Sequence, residues 1–162
     1  MEKDFRNLLI IMDSKEFKVI FGEIAKSYGF IKAFSGWYKK NAESIAILEL
    51  QKSNFGDYYQ LNIKVFVQKV FNRTYEPNKD LIKSSLGHVN SSETKPYSRI
   101  LNFDDHMEDN IRIELVNELF NNHIVPFINK TSSISGILNL EEAGEIFLLP
   151  AIKEELQNLQ YK

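Results

Sequence analysis

Between residues 44 and 70, alternate positions carry Glu49 and Gln51 on one arm of an apolar stretch and Gln60 and Asn62 on the next. Folded back as a hairpin, these side chains form one polar line with a single carboxylate. General acid–base work needs a second acid or a histidine within reach, and neighbouring sequence offers neither. A second grouping, Asp104-Asp105-His106 with Glu108 and Asp109, has the oxygens and imidazole that a divalent cation takes, provided another segment adds ligands. Adjacent residues rarely aim at one point, so the better reading of this run is a solvated acidic cap on a helix. His88 and His123 have no evident partner, and surface or hydrogen-bonded structural roles suit both. Trp37 is the third candidate, as the anchor of a binding surface.

Other chemistry is absent from the chain. It has no Cys, which excludes disulfides, thiol catalysis and thiolate metal sites. No Gly-rich phosphate loop, nucleophile elbow, paired-His zinc helix or calcium loop occurs. No cofactor is implied and no metal centre is assigned. The 20 basic and 22 acidic residues are dispersed, without the cationic block that makes a phosphate footprint, so nucleic acid is not expected as a partner. Twelve Phe and seven Tyr read as core rings of an antiparallel sheet rather than as base-stacking platforms. No apolar run is long enough to span a bilayer, and the N-terminal run Leu8–Met12 is too short for a signal peptide. A cytoplasmic protein without membrane partners is the expectation.

The elements that must position these residues follow from periodicity. At 162 residues, 43% hydrophobic and 26% charged, the chain is expected to form one domain over residues 1–162. Residues 1–12 read as a short helix. Asp13 and Ser14 can cap a helix carrying Phe17, Phe21, Ile24 and Ala25 inward and ending at Gly29. Residues 30–40 read as a strand bent at Ser35-Gly36, followed by a turn at Asn41-Ala42-Glu43. The arms 45–53 and 58–67 then complete a three-stranded meander around the break Asn54-Phe55-Gly56-Asp57.

Pairing Leu50 with Leu61, Leu48 with Ile63 and Ala46 with Val65 gathers an aliphatic face that a helix must cover. Extending that register places Trp37 on the opposite face, with Ile45, Ile47, Lys64 and Phe66. Either further helices cover this face as a second core, or it is an apolar patch rimmed by Lys39, Glu49, Gln51, Asn62 and Lys64. The number of helices favours the covered alternative.

Residues 71–102 read as an irregular excursion with short strands near 86–90 and 99–103. From Glu108 a wide helical stripe returns through Ile111, Leu115 and Leu119, with Val116, Phe120 and Ile124 beside it; Pro126 should kink or interrupt it. Thr131-Ser132-Ser133 can cap a helix over 134–143 ended by Gly144, and Pro150 can open a terminal helix with Ile152, Leu156 and Leu159 inward. The fold class is α+β: an antiparallel sheet, comprising the meander plus one or two short strands, packed against several helices.

The run from Gly29 to Asn41, GFIKAFSGWYKKN, followed by ILELQKSNFGDYYQLNIKV over 47–65, resembles the bacterial domain-of-unknown-function family 4304. A helix ending in Gly-Phe, an aromatic-basic strand and a Gln-Lys-Ser segment carry the likeness, with a weaker echo at Ile124-Val125-Pro126 and the helices beyond. The resemblance implies a small bacterial α+β domain and supplies no catalytic residue. It implies that the matching Trp37, Gln51, Lys52, Ser53, Tyr59 and Asn62 matter, for folding or for binding.

Three functional readings compete. The leading one is a non-enzymatic module that binds another protein through the sheet face bearing Trp37, Glu49, Gln51, Asn62, Lys64 and Phe66; an immunity-type protein that neutralises a toxin is one version. The second is a small-ligand binder or enzyme with a pocket of Glu49, Gln51, Asn62 and His106. The third assigns Gln51 and Asn62 a purely structural role at the sheet edge.

Overall fold

A computed structural model of the chain describes residues 11–93, 95 and 97–161. The helix expected over residues 1–12 lies, but for Ile11 and Met12, outside the described residues. Helix α1 spans Ser14–Ser27; its N-cap Asp13 accepts from the Glu16 amide at 2.8 Å, and Gly29 beyond its end takes φ +93°. Phe17, Phe21 and Ala25 are its buried stripe. The sheet is antiparallel, in the order β1 (Ile31–Ala33), β2 (Gly36–Lys40), β3 (Ser44–Lys52), β4 (Tyr59–Val67), β5 (Val89–Ser92). The α+β architecture is as the periodicity predicts.

The β3–β4 register matches expectation: Leu50 faces Leu61, Leu48 faces Ile63 and Ala46 faces Val65, all buried. Residues 30–40 differ. Instead of one bent strand they form a tight hairpin, β1–β2, whose turn residues Phe34 and Ser35 both take left-handed φ, 51° and 67°. That geometry matches the twist of flanking strands and is usually given to Asn-Gly.

The turn from β2 to β3 differs as well. Asn41 N–H donates to Ser44 O at 2.8 Å, so two residues, Ala42 and Glu43, make the reversal rather than three. Lys40 consequently faces Ile45, and Trp37 faces Leu48 rather than Ile47. A slip of one residue transfers every side chain of a strand to the other face. Trp37 therefore belongs to the aliphatic face under α1, not to the face of Ile45, Ile47, Lys64 and Phe66.

Beyond β4 a 3₁₀ turn at Val70–Asn72 leads to a short helix, α2 (Lys79–Lys83), capped by Asn78, and then to β5. The strand expected near 86–90 lies at 89–92; the one near 99–103 is instead a 3₁₀ turn, Tyr97–Leu101, leaving Asn102 to bridge Tyr58. Helix α3 (Asp109–Leu119) runs into a π-type turn (Phe120–Ile124) and α4 (Val125–Lys130), with Pro126 in the first turn of α4, where its missing N–H is tolerated. The buried stripe of α3 is Arg112, Val116 and Leu119, while Ile111 stays 44% exposed. Helices α5 (Ile134–Glu142), capped by Ser133 and followed by Gly144 at φ +75°, and α6 (Pro150–Gln160), with Ile152 and Leu156 buried, close the fold as predicted. Among the described residues no helix is long and apolar enough to cross a membrane.

Candidate functional site

Both sheet faces are covered, and this decides where a site can lie. On the first face, Phe21 of α1 packs its ring 5.1 Å from Trp37 and 5.3 Å from Phe120. Trp37 is 2% exposed, and its buried indole Nε1 makes no hydrogen bond to any described residue. A buried donor without a partner costs about 1–3 kcal/mol, so the ring is held there by packing. Gly22 makes that packing possible: a Cβ at this position would lie 2.9 Å from the indole nitrogen.

On the second face, Lys64 is 1% exposed and all three of its ammonium protons are used. Nζ donates to Glu49 Oε1 at 3.0 Å, to Ile82 O at 2.5 Å and to Ser84 O at 2.7 Å. Lys83 approaches the other Glu49 oxygen at 3.7 Å from the solvent side. The pair therefore fastens α2 and its C-terminal turn onto the sheet. Phe66 is buried, stacked 5.6 Å from Tyr75 and edge-on to His88 at 5.3 Å. Gln51 is exposed and Asn62 half-buried, and Asn62 Nδ2 donates to Gln51 Oε1 at 3.0 Å. The structure thus brings Glu49 to Lys64 and Gln51 to Asn62, separates Trp37 from all of them, and leaves this face open at the Gln51–Asn62 end and at its β1 margin, where Ile31 is exposed.

The acidic run before α3 disperses into structural bonds. Asp104 accepts from the Asp57 amide at 3.1 Å, Asp105 pairs with Arg99 at 3.2 Å, and Asp109 accepts from the Met12 amide at 2.8 Å. His106 is exposed in the loop between them. Among the described residues no three His, Cys, Asp or Glu side chains converge as metal ligands.

His88 is a structural group with a pH signature. Its Nδ1 accepts from the Val67 N–H at 2.9 Å, which requires that nitrogen to be unprotonated. Burial among rings, with a smaller push from Arg73, lowers its pKa from 6.5 to about 4. The unfolded chain binds this proton at the higher pH, so stability contributed by neutral His88 is complete above about pH 6.5 and is lost as pH falls towards 4. Denaturant titrations should show the chain losing up to about 1.4 kcal/mol per pH unit across that window beyond the loss seen in His88→Asn, whose amide oxygen can still accept from Val67. Identical pH profiles for the two proteins would remove His88 as the cause.

A groove that sequence reasoning missed lies on the first face. Its cavity volume is ≈ 880 Å³, between the outer side of α1 and the β1–β2 hairpin. Gly22 and Trp37 line its depth, Phe30 and Ile31 its far wall, and Tyr59 one end, with its hydroxyl donating to Ser14 O at 3.0 Å. Lys15, Lys18, Lys26 and Lys32 stand around it against one acid, Glu23. Burial, then the charges of Lys83 and Lys32, lower the pKa of Lys18. Val19, Ile31 and Phe34, on the same two elements, are 64%, 55% and 52% exposed. No spacing in the sequence announces this groove, because the packing of α1 against a hairpin of unexpected shape creates it.

The model of one protein family, described as a domain of unknown function (DUF4304), matches residues 21–130, more than half of the chain. The match opens inside α1 and closes at the end of α4, and it contains Gly22, Lys26, Lys32 and Trp37 but not Lys15, Lys18 or Val19. No curated protein and no solved structure matches the chain.

Proposed function

Because the chain belongs to the DUF4304 family, which carries no assigned activity, we propose a function from the site itself: a non-enzymatic module that binds another protein. The observation that carries this reading is the groove between α1 and the β1–β2 hairpin, apolar in depth, with exposed Val19 and Ile31 at its margin. A groove running beside a sheet edge, apolar in depth with charged groups at its rim, can take a segment of a partner chain, whose main chain and side chains it would engage. On the second face Glu49 and Lys64 are joined in an ion pair at 3.0 Å that fastens α2 to the sheet, a structural role that leaves the groove as the stronger candidate.

The site is therefore the groove, and of the residues named from sequence Trp37 and Tyr59 contribute to it. A displayed library of random peptides of about twelve residues, panned on the full chain, tests this. Clones should lose binding to Val19→Trp, which fills the groove from an exposed position without entering the core. Clones indifferent to that change and lost on Gln51→Ala would transfer the function to the open end of the second face.

A further inference from the structure

The groove is bounded on one side by the edge of the sheet. Strand β1 is the last strand on its side, with β2 its partner and no described strand beyond it. A two-residue turn makes Ala33 and Gly36 the pair that exchanges both main-chain bonds, so Lys32, opposite Trp37, turns its N–H and C=O away from β2. Phe30 is in the same phase, and its outward N–H is already taken, donating to Ala25 O at 3.1 Å. Among the described residues none takes the outward main-chain groups of Lys32. They point out from the sheet edge at a residue that also lines the groove.

From this edge and the charges around it, we infer that the groove takes an extended acidic segment of a partner protein, added as a further strand along β1. The inference rests on the groove being the binding site, as proposed above. An added strand sends alternate side chains to opposite faces. Those on the α1 side meet Lys15, Lys18, Lys26 and Lys32; those on the other side lie beside exposed Ile31. The matching sequence alternates Asp or Glu with Val or Ile. Four lysines held around one cleft repel one another, and an anionic strand relieves that repulsion while its main chain bonds Lys32. An edge strand pairing of this kind distinguishes a peptide from a nucleic acid, whose backbone has no N–H to offer.

Clones from the panning experiment, made as capped peptides, supply the test, with isothermal titration calorimetry measuring their binding to the full chain and its variants. The expected clones alternate acidic and β-branched residues, and replacing their acids by Lys weakens binding about tenfold or more. Lys32→Pro removes the outward N–H from an edge position that tolerates proline and should weaken binding about tenfold; Lys32→Ala keeps the N–H and should cost about threefold. Should the proline variant unfold, Lys32→Glu replaces it, weakening acidic peptides and tightening their Lys-substituted versions. Clones lost on Val19→Trp but neutral or basic, or bound equally well by Lys32→Pro, would overturn the acidic strand and leave the groove as the binding site. Clones untouched by Val19→Trp would overturn the groove itself. An oligothymidylate that binds more tightly than any selected peptide and displaces it would overturn the inference in favour of nucleic acid.

Discussion

Lys64→Met is expected to destabilise the chain by about 3–5 kcal/mol, because it leaves a buried carboxylate and two carbonyls without their donor. Glu49 is only 8% exposed, and its remaining partner, Lys83, stands 3.7 Å away. The carbonyls of Ile82 and Ser84 lose the bonds that fasten α2 to the second face. Urea unfolding of the purified variant measures the loss directly. The double variant Glu49→Gln with Lys64→Met should be more stable than Lys64→Met alone, since the amide removes the uncompensated charge. A cost below about 1 kcal/mol for the single change would mean that water reaches the pair in solution.

Arg112→Met should cost about 3 kcal/mol, with a localised consequence. The guanidinium is fully buried and donates through Nη1 to Ile100 O and through Nη2 to Asp105 O at 3.2 Å, and it lies 4.4 Å from the Phe103 ring. Methionine replaces the aliphatic stem but none of these bonds. The segment 97–105 held by Arg112 in turn holds the hairpin tip, for Phe103 N–H donates to Asp57 O at 2.7 Å. Hydrogen exchange at the Phe103 amide should therefore accelerate more than at the Ile63 amide in the middle of the sheet. Uniform acceleration would show that Arg112 acts on global stability alone.

Both residues illustrate what the sequence conceals. Lysine and arginine are mostly exposed residue types, and at positions 64 and 112 only tertiary packing turns them inward to satisfy carbonyls contributed by distant segments. The β3–β4 register was legible because aliphatic residues recur every second position on both arms around a short turn. The capped helices α1, α5 and α6 were legible because Asp13, Ser133 and Pro150 stand where helix starts require such residues. The reversal at Phe34-Ser35 was not, since neither residue is the Asn or Gly that left-handed φ favours. A three-residue turn at Asn41-Ala42-Glu43 puts Trp37 on the wrong face, and with the Phe34-Ser35 hairpin hidden as well, the groove beside it could not be foreseen.

The two-residue turn at Ala42-Glu43 limits which insertions and deletions this chain can accept. Glu43 is tied on three sides, its N–H to Ser132 O at 3.1 Å, its carbonyl to Gln68 N–H at 3.0 Å and its carboxylate to the Ile134 N–H at 3.2 Å. Adding or removing one residue there would carry Trp37 through the sheet to the side of Lys64 and bring Tyr38 and Lys40 beneath α1. Two residues added together would restore the faces, so length at this turn changes tolerably only in pairs.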